Sequence, residues 1–140
     1  MILELEDYHF PDLAFYKSIL DALEAHIAVL DKQGTIIAVN ARWQRFGEMN
    51  GIRDSRFGVG ANYFTVCRAA VDPIARTAAA GIRDVLSGRR SSFYLEYPCH
   101  SPDEERWFAL RVMPIGDQPG FVVTAHENIT ERVIAERAST

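Results

Sequence analysis

The order of periodic segments predicts an α+β fold, in which short helices cover one face of a five-stranded antiparallel sheet. Alternating apolar residues occur in two groups, one in the first third of this 140-residue chain and one in the last third. Residues at helical spacing fill the part between the two groups. The connections within each strand group are short, so neighbouring strands should be antiparallel. Helices gathered between two such groups must then cover one face of a common sheet.

The first helix and the first hairpin are predicted from the residues before position 40. Asp12 is a suitable N-cap, and apolar residues at helical spacing continue from it to about Ala25. The stretch HIAVLDKQGTIIAVN then predicts two strands, Ile27 to Leu30 and Thr35 to Val39. Gly34 lies in the turn between them, where a positive φ is needed.

The middle of the chain predicts several helices separated by a loop. Asn40 is suited to cap a short helix, and the stretch Gly47 to Gly60 is loop-like because it holds four glycines and mixed charges. Two short helical pieces are expected around Tyr63 to Ala70. A longer helix is expected from about Pro73 to Leu86, with Pro at its first turn.

Three further strands follow, at Ser92 to Tyr97, Arg106 to Ile115 and Gly120 to Glu127. Along the second of these, the alternation places Phe108, Leu110 and Val112 on the face under the helices. The alternation in the last strand leaves the inner face open, because the set of Phe121, Val123 and Ala125 is more apolar than the set of Val122, Thr124 and His126.

Composition and charge exclude several classes of function. The chain is 48% hydrophobic with a net charge of −4, which argues against nucleic acid or an anionic membrane as an electrostatic partner. The N-terminus lacks the features of a signal peptide, and the apolar runs are too short to span a membrane, so we expect a soluble cytoplasmic module with no membrane insertion. Cys67 and Cys99 should therefore be reduced thiols.

No set of residues in the sequence predicts catalysis or metal binding. The acids from Asp103 to Glu105 lie at a predicted hairpin tip, where charge keeps a turn soluble. Gly58-Val59-Gly60 lacks the rest of a phosphate loop. Cys99 and His100 are adjacent on an extended segment, so their side chains point in opposite directions, and neither has a second cluster of metal ligands nearby in sequence.

The C-terminal residues predict one more helix. Asn128-Ile129-Thr130-Glu131 has the form of a capping box, with Glu131 at the third helical position. Ile129, Val133 and Glu136 follow the spacing of a coiled-coil seam, but they provide only about one and a half heptads. We therefore expect the natural chain to continue past Thr140 into an output domain such as a histidine kinase or a diguanylate cyclase.

Three stretches together resemble a PAS domain, the sensory module of bacterial signalling proteins. They are AVLDKQGTIIAVNARWQRFG, SFYLEYPCHSPDEERWFALRVMPI and VVTAHENITER. In that family they correspond to the opening hairpin, the central hairpin and the junction to the signalling helix. The resemblance covers roughly Leu20 to Arg137. Asn128 stands where the family usually has an aspartate, so a charged switch at that position is not expected.

The resemblance implies three regions with different roles. Residues 1–25 would form an N-terminal dimerisation helix, residues 26–127 the PAS core, and residues 128–140 the start of the signalling helix. Family spacing places Val122, Thr124 and His126 toward the cavity, although a histidine satisfied by a backbone carbonyl is an alternative for His126. The expected pocket residues are Leu30, Phe46, Phe64, Cys67, Ile82, Phe108, Leu110, Val112, Thr124 and His126. The expected dimer interface is Leu13, Tyr16, Leu20 and Leu23, and the expected signal junction is Asn128, Ile129, Thr130 and Glu131.

The ligand is left unknown. Flavin is disfavoured because only Cys67-Arg68 remains of the light-oxygen-voltage signature, and haem is disfavoured because the helix from Pro73 to Leu86 has no histidine. The leading hypothesis is a homodimeric, non-catalytic sensor that binds an unidentified small molecule and signals to a C-terminal output domain. A ligand-free dimerisation and relay module is the main alternative, and a small α+β enzyme is a distant third.

Overall fold

The computed structural model describes residues 13–49, 58–70, 72–116 and 120–139. Its elements are α1 (Leu13–Ala22), β1 (His26–Leu30), β2 (Ile36–Val39), α2 (Ala41–Met49), α3 (Tyr63–Ala69), α4 (Pro73–Ser87), β3 (Phe93–Pro98), β4 (Trp107–Pro114), β5 (Val122–Asn128) and α5 (Thr130–Ala138). The five strands form one antiparallel sheet in the order β2-β1-β5-β4-β3. The predicted fold class is therefore confirmed.

Several predicted boundaries differ from those in the structure. The first helix ends at Ala22 rather than Ala25, because residues 23–25 bend and the Leu23 N–H bonds the carbonyl of Leu20 at 3.2 Å. The two helical pieces expected around Tyr63 to Ala70 are the single helix α3. The start of the expected loop belongs to α2, which extends to Met49, and residues 50–57 lie outside the described part of the chain.

Local chemistry fixes the ends of the helices that cover the sheet. Asp72 caps α4 by accepting the N–H of Ile74 at 2.9 Å, and Pro73 occupies its first turn. Gly88 ends the same helix with a φ of 82°, a conformation that favours glycine. At α3, the Asn62 side chain accepts the N–H of Thr65 at 3.0 Å.

Asn40 joins α1, β1 and α2, and it is fully buried. Its Oδ1 accepts the backbone N–H groups of Ile27 and Trp43, each at 3.0 Å. Its Nδ2 donates to the carbonyls of Leu20 and Ala25, each at 2.9 Å. The predicted role of Asn40 as a cap is confirmed, and the amide also fixes α1 relative to the sheet.

Helix α4 packs across the inner face of the sheet and forms the main core. Ile82 and Val85 are buried against Leu110 and Val112 of β4. Gly81 allows the close approach, because a Cβ at that position would lie 2.5 Å from the ring of Phe93 in β3. The helical layer thus lies over one face of the sheet.

Candidate functional site

The inner face of the sheet is apolar at one end and polar at the other. Phe108, Leu110 and Val112 of β4 are all buried, as the alternation predicted. On β5, Val122 and Thr124 are buried and His126 is partly buried, which confirms the choice made from the family spacing. The Thr124 hydroxyl donates to the Ala28 carbonyl at 3.0 Å, so this buried polar group is satisfied within the sheet.

Six of the predicted pocket residues form part of one close-packed core. Four of them, Leu30, Ile82, Leu110 and Val112, are 0% exposed. Phe64 and Cys67 of α3 belong to the same cluster. Phe46 of α2, which also belongs to the predicted pocket, has a side chain outside the described part of the structure. This end of the interior is sealed.

His126 forms a polar centre at the other end with two tyrosines that the predicted pocket did not include. The Tyr63 hydroxyl lies 3.1 Å from His126 Nε2, and the Tyr97 hydroxyl lies 2.7 Å from His126 Nδ1. Tyr63 begins α3, whereas Tyr97 lies near the end of β3 on the same face as Phe93 and Leu95. The expected backbone-carbonyl partner for His126 is therefore wrong, because both ring nitrogens face phenol groups.

Aromatic rings surround this Tyr63–His126–Tyr97 centre. The ring of Trp43 lies 5.7 Å from that of His126 between centroids, and the rings of Tyr97 and Phe108 stack at 6.1 Å. His26 of β1 is directly opposite His126 in the strand register. The centre is thus a small group of hydrogen-bonding side chains inside an aromatic layer, a composition typical of small-molecule sites.

Burial keeps the polar centre uncharged near neutral pH. It lowers the pKa of His126 to about 4, and the nearby His26 adds to this effect. The pKa values of the Tyr63 and Tyr97 hydroxyls are raised well above their usual range, mainly by burial. The pKa of His26 is also lowered, by burial and by the charge of Arg42. Hydrogen bonding, not ion pairing, is the chemistry that this arrangement offers.

The junction between β5 and α5 is held by Thr130 and Asn128. Thr130 Oγ1 accepts the N–H of Trp107 at 2.9 Å and donates to Asn128 Oδ1 at 2.6 Å. Asn128 Oδ1 also accepts the Thr130 N–H at 3.0 Å. The expected capping box needs correction, because Asn128 is the last residue of β5 and Ile129 occupies the N-cap position with no side-chain bond.

Ile129 is also buried, at 8% exposure, and its N–H bonds the Trp107 carbonyl at 2.8 Å. It therefore packs on the domain and cannot serve as the first position of an exposed coiled-coil seam. Val133, the next expected seam residue, is partly buried, and Glu136 is exposed.

Two arginines of α5 form ion pairs with the central hairpin, one with β3 and one with the connection between β3 and β4. Arg132 forms an ion pair with Glu96 on β3 and lies 3.4 Å from the Tyr94 hydroxyl. Arg137 pairs with Glu105 at 2.6 Å, and its guanidinium lies over the Trp107 ring. These contacts join positions 30 or more residues apart, so no local sequence pattern indicated them.

The predicted dimer residues lie on a helix that exposes a large apolar surface. Tyr16 and Leu23 are 49% and 46% exposed, and Leu20 is partly buried. Leu23 lies just beyond α1, and the side chain of Leu13 is outside the described part of the structure. Phe15 and Ile19 are exposed on the same helix, and the predicted interface did not include them.

The other candidate groups have ordinary structural surroundings. His100 Nδ1 accepts the backbone N–H of Arg106 at 3.0 Å and so closes the hairpin. Cys67 is buried, and burial raises the pKa of its thiol, which disfavours the reactive thiolate. Among the described residues, no three His, Cys, Asp or Glu side chains lie close enough to hold a metal ion. None of the helices in the described ranges has the length and apolarity needed to cross a bilayer.

Strand order, helical layer and terminal helix together define the architecture that the sequence resemblance implied. The PAS_4 family model, described as PAS fold, matches residues 20–134, and the chain belongs to the PAS family. PAS domains are generally non-catalytic sensor modules of signalling proteins, and some of them bind ligands.

Similar proteins include one curated sequence and several solved structures. An uncharacterized 104.1 kDa protein of Rhodobacter capsulatus is 40% identical over 124 residues, which are 85% of this chain but only 13% of that protein. The PAS domain of BvgS from Bordetella pertussis has a TM-score of 0.62 at 20% identity, covering 90% of this chain and 92% of that one. The RpfR quorum-sensing receptor PAS domain of Cronobacter turicensis, solved in complex with C12:0, has a TM-score of 0.53 at 19% identity, covering 76% and 95%.

Proposed function

We propose that this chain is a non-catalytic PAS sensor module of a bacterial signalling protein, which binds a small ligand and passes the signal through a dimer to an output domain. The observation that carries this proposal is the Tyr63–His126–Tyr97 centre on the inner face of the sheet. A polar group at that depth costs free energy unless it is satisfied. The two tyrosines satisfy His126, and polar side chains set in an aromatic layer are a composition typical of small-molecule sites, which supports the proposal.

The position of His126 also supports a relay. His126 lies two residues before Asn128, the last residue of β5, and four before Thr130, which begins α5. A ligand that moves His126 would therefore act directly on the residues that join β5, Trp107 and α5. Exposed apolar side chains on α1 support dimerisation.

The larger architecture is part of the proposal. The Rhodobacter capsulatus relative is much longer than the region it shares with this chain, since the matched residues are only 13% of its length. A kinase or a cyclase is the kind of output domain that we propose for the natural protein.

A ligand-free relay is a second candidate because of the sealed end of the core. Leu30, Leu110 and Val112 are 0% exposed, and Thr124 is satisfied by the Ala28 carbonyl. In that case the polar centre would serve only to fix α3 against the sheet. Dimerisation and relay through α5 would remain the function.

The absorption spectrum of the purified protein, recorded from the near ultraviolet through the visible, is the first test. Haem or flavin bands would identify the ligand at once and show a gas, redox or light sensor. A spectrum with Trp and Tyr absorption alone leads to native mass spectrometry, where a mass above that of the chain, lost on denaturation, supports a colourless ligand. A native mass equal to that of the chain or its dimer favours the ligand-free relay.

A further inference from the structure

The inner layer of the domain is sealed at one end and accessible at the other. The inward-facing residues Leu30, Val112 and Val122 have no exposed surface. At the opposite end, His26, Tyr63, Tyr97 and His126 are all partly exposed although they face the same layer. A small molecule that enters the inner layer would therefore meet these four side chains first.

One donor proton of the polar centre is not used by the two hydrogen bonds within it. A neutral imidazole provides one N–H donor and one acceptor nitrogen, and each phenol provides one O–H. The two bonds in the chain Tyr63–His126–Tyr97 use two of these three protons. In either tautomer of His126, one tyrosine donates to the ring and the other accepts from it, so the accepting tyrosine keeps its own O–H proton. Within the described residues, neither hydroxyl has a second partner.

The surroundings of this spare donor favour an uncharged aromatic partner. The rings of Trp43 and Tyr97 lie 5.7 and 6.0 Å from the ring of His126, and the Phe108 ring stacks on Tyr97. The imidazole is neutral near pH 7, because burial lowers the pKa of His126 to about 4. Arg42 acts electrostatically on His26, but it is exposed on α2. Arg106 is partly buried, but its guanidinium lies over the Phe108 ring and donates to the Cys99 carbonyl, so an anion at the centre would lose hydration without a free cation among the described residues to pair with.

We infer that the Tyr63–His126–Tyr97 centre binds an uncharged aromatic molecule and donates one phenolic hydrogen bond to an oxygen or nitrogen acceptor on it. This inference rests on the proposed ligand-binding function and specifies the chemistry of the same site. The spare O–H is the reason why the ligand should carry an acceptor. The aromatic layer is the reason why the rest of the ligand should be flat and apolar. A ligand that covers the spare O–H without offering it an acceptor takes that hydroxyl out of water at a cost, so the site discriminates against molecules that lack an acceptor.

Three probes of similar size test this inference: acetophenone, ethylbenzene and benzoate. The first is neutral with a carbonyl acceptor, the second is neutral with none, and the third is anionic. Their dissociation constants are measured by ligand-observed NMR on the wild-type chain and on Tyr63→Phe, Tyr97→Phe and the double variant. Tyr94→Phe is the matched control, because Tyr94 is exposed and its hydroxyl bonds Glu96 on the outer face of the sheet. Thermal unfolding confirms that each variant is folded.

We expect the wild type and Tyr94→Phe to bind acetophenone about tenfold more tightly than ethylbenzene, the effect of one hydrogen bond that a buried donor would otherwise lack. The ratio of the dissociation constants for ethylbenzene and acetophenone should approach one in the single variant that removes the donating hydroxyl. It should also approach one in the double variant. Equal binding of the two neutral probes by the wild type overturns the inference and leaves the ligand-binding function standing. Preference for benzoate overturns the uncharged ligand class. No binding of any probe at millimolar concentration overturns both the inference and the ligand-binding function.

Discussion

At the scale of single residues, Asn40 shows how one buried amide can hold several elements. All four hydrogen-bonding positions of its side chain are used, by two N–H donors and two carbonyl acceptors on the backbone. The four backbone groups belong to Trp43 in α2, Ile27 in β1, Leu20 in α1 and Ala25 between α1 and β1, so one side chain joins three elements. Removing the amide would leave these groups without their partners in a dry part of the fold.

Asn40→Ala should therefore lower the free energy of unfolding by about 3 kcal/mol, since each buried group left unsatisfied costs about 1 kcal/mol or more. Asn62→Ala is the control, because Asn62 caps α3 at a more accessible position, where losing a cap costs about 1 kcal/mol. Urea unfolding at pH 7 measures both. Equal losses for the two variants would mean that water reaches the Asn40 site.

His126 should make stability depend on pH in a definite direction. Its pKa falls from 6.5 in the unfolded chain to about 4 in the folded one, so protons bind the unfolded chain more readily. The stabilisation is complete above pH 6.5 and is lost as the pH falls toward 4. Between pH 7 and pH 4.5 the loss from this group should be about 2 kcal/mol, at about 1.4 kcal/mol per pKa unit.

The His126→Gln variant isolates this contribution in urea unfolding measured across the same pH range. His26 has a lowered pKa and acts in the same direction, and the lowered pKa values of Asp21, Glu96 and Glu105 add losses at the acidic end. These groups remain in the variant, so the difference between the two stability curves reports His126. Parallel curves for wild type and variant would contradict the assigned shift.

At the scale of elements, the packing of α4 on β3 depends on a glycine. A helix normally gains up to about 1 kcal/mol when an exposed glycine becomes alanine. Gly81→Ala should instead destabilise the domain by about 1–3 kcal/mol, because the new methyl group would overlap the Phe93 ring. Thermal unfolding of Gly81→Ala and of the double variant with Phe93→Leu measures the effect. The double variant should regain part of the loss, and a stabilising Gly81→Ala would show that β3 moves away at little cost.

The ion pairs between α5 and the central hairpin are a second feature at the scale of elements. No residue of α5 is buried, so its contacts with Glu96 and Glu105 act on a helix with little packing of its own. Exposed ion pairs contribute only about 0–1 kcal/mol each. Glu105→Gln should therefore raise amide hydrogen exchange in the last turn of α5 by a few-fold with little change in global stability. Glu104→Gln removes the same charge from the neighbouring position, whose side chain forms no ion pair among the described residues, and should leave exchange unchanged.

The elements also show where sequence reasoning succeeds. The inner face of β4 followed from alternation, because Arg111 and Met113 on one face contrast with Leu110 and Val112 on the other. The face of β5 did not follow from alternation, because both of its faces carry apolar residues. Only the spacing from the PAS junction resolved it.

The candidate site was less accessible to prediction than the fold. His126 and Thr124 were predicted, but the partners of His126 lie 63 and 29 residues away along the chain. Tyr97 could have been inferred, since it alternates with Phe93 and Leu95 toward the inner face. Tyr63 could not, because its contact depends on how α3 crosses the sheet. The ion pairs of α5 likewise join residues that are far apart along the chain.

At the scale of the whole molecule, the exposed side of α1 is an apolar surface that no other part of the described chain covers. Phe15, Tyr16, Ile19 and Leu23 are each between 39% and 49% exposed along one short segment. The Asn40 amide holds the Leu20 carbonyl, so this surface is fixed relative to the sheet. A contact between two copies through α1 would therefore transmit changes from the sheet of each domain to its partner.

Ile19→Glu should weaken the proposed α1 dimer at least tenfold, because a charge in the middle of an apolar contact must be desolvated without a partner. Sedimentation velocity over a range of protein concentrations gives the dissociation constant. Val59→Glu is the matched control, since Val59 is an apolar residue that is 60% exposed and lies in the segment before α3 rather than in α1. Met113→Glu tests the outer face of the sheet, which also exposes apolar side chains. Dissociation by Met113→Glu but not by Ile19→Glu would transfer the interface from α1 to the sheet, and the relay would then act through β4 and β5 themselves.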